Sequence, residues 1–112
     1  MSLVEAYASE IRLFAGDFAP RGWALCDGRL VPIDRNPALF ALLGTMYGGD
    51  GITTFALPDL RGRLPIHPDQ GEYRPGEQRN GARVAAGNDA QLPAMLTLNY
   101  IICLQGVFPD RG

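Results

Sequence analysis

Histidine and cysteine, the residues of zinc sites and thiol redox chemistry, are scarce in this sequence. The chain of 112 residues has one histidine, His67, and two cysteines, Cys26 and Cys103. The cysteines are far apart and form no C-x-x-C spacing, which removes zinc and dithiol motifs. Buried free thiols are the reading that remains. Excess charge is missing too. A formal net charge of −2 offers no electrostatic attraction to nucleic acid or to an acidic membrane. No apolar run approaches the roughly 18 residues of a membrane span. The first ten residues, MSLVEAYASE, carry two glutamates and no basic n-region, so they do not read as a signal peptide.

Glycine and proline are abundant instead, with 14 and 9 copies. The level points to many turns within one ordered domain, not to disorder throughout. A chain of this length buries roughly 60–68 % of its unfolded surface, enough for one modest core. The stretch Gly44 to Pro65, GTMYGGDGITTFALPDLRGRLP, concentrates these residues. Gly48-Gly49-Asp50-Gly51 reads as a tight bend. Thr53 to Leu57 reads as a short strand that Pro58 ends. Asp59 is placed to accept from nearby backbone N–H groups. Arg61 and Arg63 straddle Gly62 and point to one side of an extended chain. Gly44 and Gly49 have the spacing of a phosphate-binding loop, but Asp50 stands where its lysine belongs. Asp50 and Asp59 alone are too few oxygen ligands for calcium.

Ser9 to Ala15 predicts a strand, with Ile11 and Leu13 on one face. Trp23 to Cys26 predicts another, with Trp23 and Leu25 sharing a face. Asp27-Gly28 then predicts a hairpin turn into Arg29 to Ile33. Asp34 to Leu43 is the one convincing helix, with Asn36 as N-cap, Pro37 at N1 and Gly44 at C′. Leu39, Leu42, Leu43 and Met46 form its apolar stripe. His67 to Gln91 is a polar arm, read as a surface excursion or a wrap onto a neighbouring subunit. Leu92 to Gln105 predicts a closing strand, apolar on both faces past Tyr100, as suits a central position. The expected core joins Trp23, Leu25, Phe55 and Leu57 with Leu39, Leu42 and Leu43 and with alternate residues of the last strand.

Catalytic groups are hard to assemble. Cys26 and His67 would make a thiol–imidazole pair, but no third group orients it. Asp27, Asp50 and Asp59 would supply carboxylates for glycoside hydrolysis, yet each has the setting of a turn former. No catalytic residue, cofactor or metal ligand is assigned, and the chain is not read as an enzyme. Two classes are left: a structural component that oligomerises, and a binding module in which Tyr47, Tyr73 and Asp50 contact a glycan or surface receptor.

Three blocks of the sequence resemble the phage tail collar domain family: EIRLFAGDFAPRGWALCDG, LFALLGTMYGGDGITTFALPDLRGRLP and LTLNYIICLQGVFP. They come in the family's order and are closest to its bacterial branch, the microcystin-dependent proteins. The same collar occurs in the short tail fibres of T-even phages. The resemblance implies a small, turn-rich α+β collar with short strands and hairpins, one short helix and a buried C-terminal strand. It implies a single domain over residues 1–112 that forms homotrimers. The implied role is structural attachment and adhesion in a phage tail or tail-like fibre, with other tail or fibre proteins as partners. The implied location is a virion tail, or a tail-like particle in the bacterial cytoplasm. Longer relatives carry a Pro-x-His-x-His motif and a glycine-rich tip insert. Here Gln91-Leu92-Pro93-Ala94-Met95 has no histidine and leads almost at once into the last strand, so no metal ligand is carried over and the tip insert is read as absent. In a trimer, Asp59, Arg61 and Arg63 are expected to face a neighbour.

Overall fold

A computed structural model of the chain describes residues 5–79 and 93–111. In chain order its elements are β1 (Ile11–Phe14), β2 (Trp23–Leu25), β3 (Leu30–Pro32), α1 (Pro37–Leu43), β4 (Thr54–Ala56) and β5 (Asn99–Cys103). The architecture is thus mostly strand with one short helix. The strands form two small antiparallel sheets, one of order β1-β5-β2 and one pairing β3 with β4. In the larger sheet Ile11 and Ala24 lie opposite Ile102 from either side, and Leu13 lies opposite Tyr100. A strand paired on both edges and covered on both faces must be apolar on both faces. Ile101, Ile102 and Cys103 are all buried, as that requires.

The core joins both sheets to the helix. Phe55, Leu39, Leu57 and Ile102 are its largest fully buried side chains, and Ala24, Cys26 and Val31 complete it. The Phe55 and Phe40 rings lie 5.3 Å apart, tilted by 54°. Burial of side chains of this size contributes about 1.5–3 kcal/mol each. The phase expected for β2 is reversed. Ala24 and Cys26 face the core, while Trp23 and Leu25 occupy the opposite face, across from Cys103 and Ile101. The Arg12 guanidinium lies 5.2 Å from the Trp23 ring centroid and covers that face. Bulk alone misled here: alternation gives β2, an edge strand, two faces, and its smaller residues took the inner one.

Pro37 opens the helix as expected, and Gly44 closes it at φ 54° with its N–H donating to Phe40 O at 2.7 Å. Asn36 sits at the N-cap position without capping through its side chain. Its Nδ2 donates back to Pro32 O at 3.0 Å and ties the helix entry to β3. The stripe buries Leu39 fully and Leu43 partly, whereas Met46 lies beyond the helix and is exposed.

The hairpin expected at Asp27-Gly28 does not form. β2 pairs with β5 and β3 pairs with β4, so the turn instead carries the chain from one sheet to the other. Gly28 adopts φ 78° there, and its N–H donates to Pro58 O at 3.2 Å. The last strand is shorter than expected. Residues 93–98 are exposed and outside any strand, and Leu92 lies outside the described residues. So does the arm beyond Arg79. Its described part, 67–79, is mostly exposed, and the backbone at Gly76 passes so close to Met46 that a Cβ would meet Cγ at 2.3 Å.

Candidate functional site

The turn after β4 is organised by Asp59. Pro58 ends β4's extension, and the chain bends so that Asp59 forms an isolated antiparallel bridge with Asp27. Leu60 N–H donates to Cys26 O at 2.9 Å and holds the two segments together. An acid and an arginine two residues apart on extended chain share a side. Accordingly the Arg61 N–H donates to Asp59 Oδ1 at 3.2 Å, its Nε to Oδ1 at 2.9 Å and its Nη2 to Oδ2 at 2.9 Å. Arg63 reaches back with Nη1, which donates to Asp59 O at 3.3 Å and lies 3.4 Å from Oδ2. These bonds, those from Arg61 first, hold the Asp59 carboxyl well below the usual carboxylate range. The three residues expected at an interface are therefore brought together, as one cluster within a single chain.

The bridge partner repeats the device. Arg29 Nε and Nη2 donate to Asp27 Oδ1 and Oδ2 at 2.9 and 2.7 Å, and its N–H donates to Oδ1 at 3.2 Å. The sequence reading passed over this pair, and over Glu10 with Arg12 and Glu77 with Arg79. Its signal was present as an acid-x-arginine spacing that occurs five times, at 10/12, 27/29, 59/61, 72/74 and 77/79. Four of those five units close on themselves.

Asp50 belongs to a different construction. Its Oδ1 accepts from the N–H groups of Ile52, Thr53 and Thr54 at 2.8, 2.8 and 2.9 Å, and its Oδ2 from Thr53 Oγ1 at 2.8 Å. The backbone donors, Thr54 first, hold its carboxyl far below the ordinary range. Asp50 thus shapes the bend that returns the chain into β4. Tyr47 and Tyr73, its companions in the expected ligand contact, lie elsewhere. Both line a groove of about 1180 Å³ between residues 58–66 and 73–79, together with Arg61, Arg63, Arg74 and Arg79. Burial raises the Tyr47 phenol, so its hydroxyl stays a neutral donor. Arg79 stands 4.1 Å from the Tyr73 ring centroid. Asp69 shapes the arm beside it, its Oδ1 accepting from Glu72 and Tyr73 N–H groups at 3.0 and 2.8 Å.

The thiol chemistry weighed from the sequence finds no geometry. Cys26 is buried in the core, and burial, with Asp27's charge second, pushes it up to about 11. His67 is exposed. Among the described residues no group of three or more histidine, cysteine, aspartate or glutamate side chains could hold a metal, and no helix is long and apolar enough to cross a membrane.

Comparison with known proteins places these features. The family model described as Phage Tail Collar Domain matches residues 9–65, from β1 through the Asp59 cluster. Protein RhiB of Rhizobium leguminosarum bv. viciae is 44% identical over 45 residues. That match covers 38% of this chain and 20% of RhiB.

Proposed function

This chain belongs to the phage tail collar domain family, and from that premise we propose that it is an oligomeric collar or adaptor in a phage tail or tail-like fibre. The collar is a structural domain of phage tails and not an enzyme family, which supports an attachment role without catalysis. The oligomer is a homotrimer, joined in the virion tail or tail-like particle to other tail or fibre proteins. Nucleic acid has no part in it, and neither has membrane insertion.

The observation that carries the oligomer is unburied apolar surface. Leu64, Ile66, Met95 and Leu96 are 85, 61, 75 and 83% exposed. Monomers seldom leave large apolar surface in water, and small domains often complete their burial by association. The Asp59–Arg61–Arg63 cluster directly precedes Leu64. On this reading it is a pre-organised rim that presents Arg61, whose side chain is 71% exposed, to a neighbour's carboxylates or carbonyls. Light scattering at several concentrations tests the proposal. A species three times the chain's 12.1 kDa is expected. A single-chain mass across the micromolar range overturns it.

A second reading, adhesion through a glycan or surface receptor, is favoured by one observation. Tyr47 and Tyr73, far apart in sequence, line the same groove. A glycan array with folded protein distinguishes the readings: a blank array with a defined oligomer leaves the collar alone.

A further inference from the structure

The groove is basic on an acidic chain. Its lining holds four arginines, Arg61, Arg63, Arg74 and Arg79, against two carboxylates, Asp59 and Glu77. Four less two leaves a local +2, where the whole chain is −2. All ten basic residues of the chain are arginine, so every cation here is a planar fork suited to carboxylate or phosphate oxygens. The volume of about 1180 Å³ exceeds that of an ordinary small-molecule site, about 300–1,000 Å³, and suits an extended ligand.

Arg74 is the informative member. Of the five acid-x-arginine units it belongs to the one that does not close. Its backbone N–H donates to Glu77 Oε1 at 3.4 Å, but its guanidinium makes no hydrogen bond or ion pair among the described residues. Tyr73 precedes it, and Arg79 lies over the Tyr73 ring. Tyr47 contributes a second aromatic surface to the same groove. A tyrosine offers a large, rigid face with a polar tip, the kind of surface on which the C–H face of a sugar ring packs.

We propose that this groove binds an extended acidic saccharide, its carboxylate or phosphate groups held by Arg74 and its rings lying on Tyr47 and Tyr73. The proposal rests on the adhesion reading above and not on the trimer. Single-stranded nucleic acid is the weaker occupant. It is held by a positively charged groove that tracks the phosphates along its backbone, and on a chain of net charge −2 this groove offers only a local +2.

Calorimetric titration of the full chain decides the matter. The probes are a hexamer of galacturonate, a phosphorylated mannose oligosaccharide, neutral maltohexaose and hexathymidylate. The galacturonate or the phosphorylated probe, whichever carries the matching acid, should bind and weaken as salt rises, while maltohexaose gives no heat. Arg74→Ala should weaken that binding about tenfold or more, the loss of one charge-assisted pair. It should leave the melting temperature and solution mass unchanged, because that guanidinium makes no hydrogen bond or ion pair among the described residues. Four results overturn the proposal. They are silence with both acidic probes, equal affinity for Arg74→Ala, hexathymidylate binding as tightly as the saccharide, and a change of mass in Arg74→Ala. The last assigns the groove to a second copy of the chain. A single-chain mass together with saccharide binding refutes the collar oligomer and leaves the groove proposal standing.

Discussion

Replacing Gly49 by alanine should cost far more than replacing Gly22, although both glycines have similar positive φ, 93° and 85°. The conformational strain of an L-residue in that region is about 1–2 kcal/mol and applies to both. The surroundings differ. A Cβ on Gly22 meets nothing within 4 Å. A Cβ on Gly49 lies 2.4 Å from Phe55 Cα, 2.8 Å from Thr54 O and 2.9 Å from Phe55 N. These are backbone atoms of β4, so no side chain can swing aside. Relief needs a shift of about 1 Å, taken by a strand whose Phe55 is fully buried and whose Ala56 N–H donates to Gly48 O at 3.0 Å. Overpacking of this kind adds about 1–3 kcal/mol. Gly22→Ala should therefore lose about 1–2 kcal/mol and Gly49→Ala about 2–5 kcal/mol. Urea unfolding followed by Trp23 fluorescence measures both, and at about 4–8 °C per kcal/mol a thermal melt resolves the gap. Equal losses in the two variants would refute the close approach of this loop to β4.

Phe55→Ala should destabilise by about 3–5 kcal/mol, and Trp23→Ala by less, because Trp23 lies half-buried on the outer face; the two unfolding midpoints check the order. Cys26 and Cys103 should be inert to a thiol reagent near about pH 8 and react only in denaturant, since both are buried free thiols and Cys26 is pushed up to about 11; a fast native reaction contradicts their placement. Asp50 and Asp59 have folded pKa values below their unfolded ones. Their contribution is therefore whole above the unfolded value of about 3.9 and is lost as pH falls below it. The unfolding midpoint should drop on acidification from about pH 5, and Asp50→Asn should flatten that drop; an unaltered slope would count against the Asp50 network.

Much of the local construction was legible in the residues. Pro37 and Gly44 bound the helix because each acts on its own φ. The Gly48–Gly51 bend and the Asp50 bonds span four residues or fewer. The acid-x-arginine pairs follow from side chains two apart on extended chain, and the spacing could have been read five times over although only the region of Asp59 was. Cys26 and Cys103 were expected to be buried because each sits in an apolar strand pattern.

What lay beyond the sequence was decided by which strands meet. Asp27-Gly28 has the chemistry of a hairpin turn, but β2 gains more beside β5, where Ala24 and Cys26 close the core against Ile102 and Tyr100, and β3 is matched instead by β4. The same choice reversed the phase of β2, since alternation names two faces and only the assembled core says which is inner. Tyr47 and Tyr73 carry no local sign of one another. They share a groove because the arm returns past Met46, where Gly76 lets the backbone come close. Dihedral preferences and contacts two to four residues apart belong to the sequence by itself. Strand partners, inner faces and the groove depend on the burial of distant segments together, and only the tertiary structure settles those.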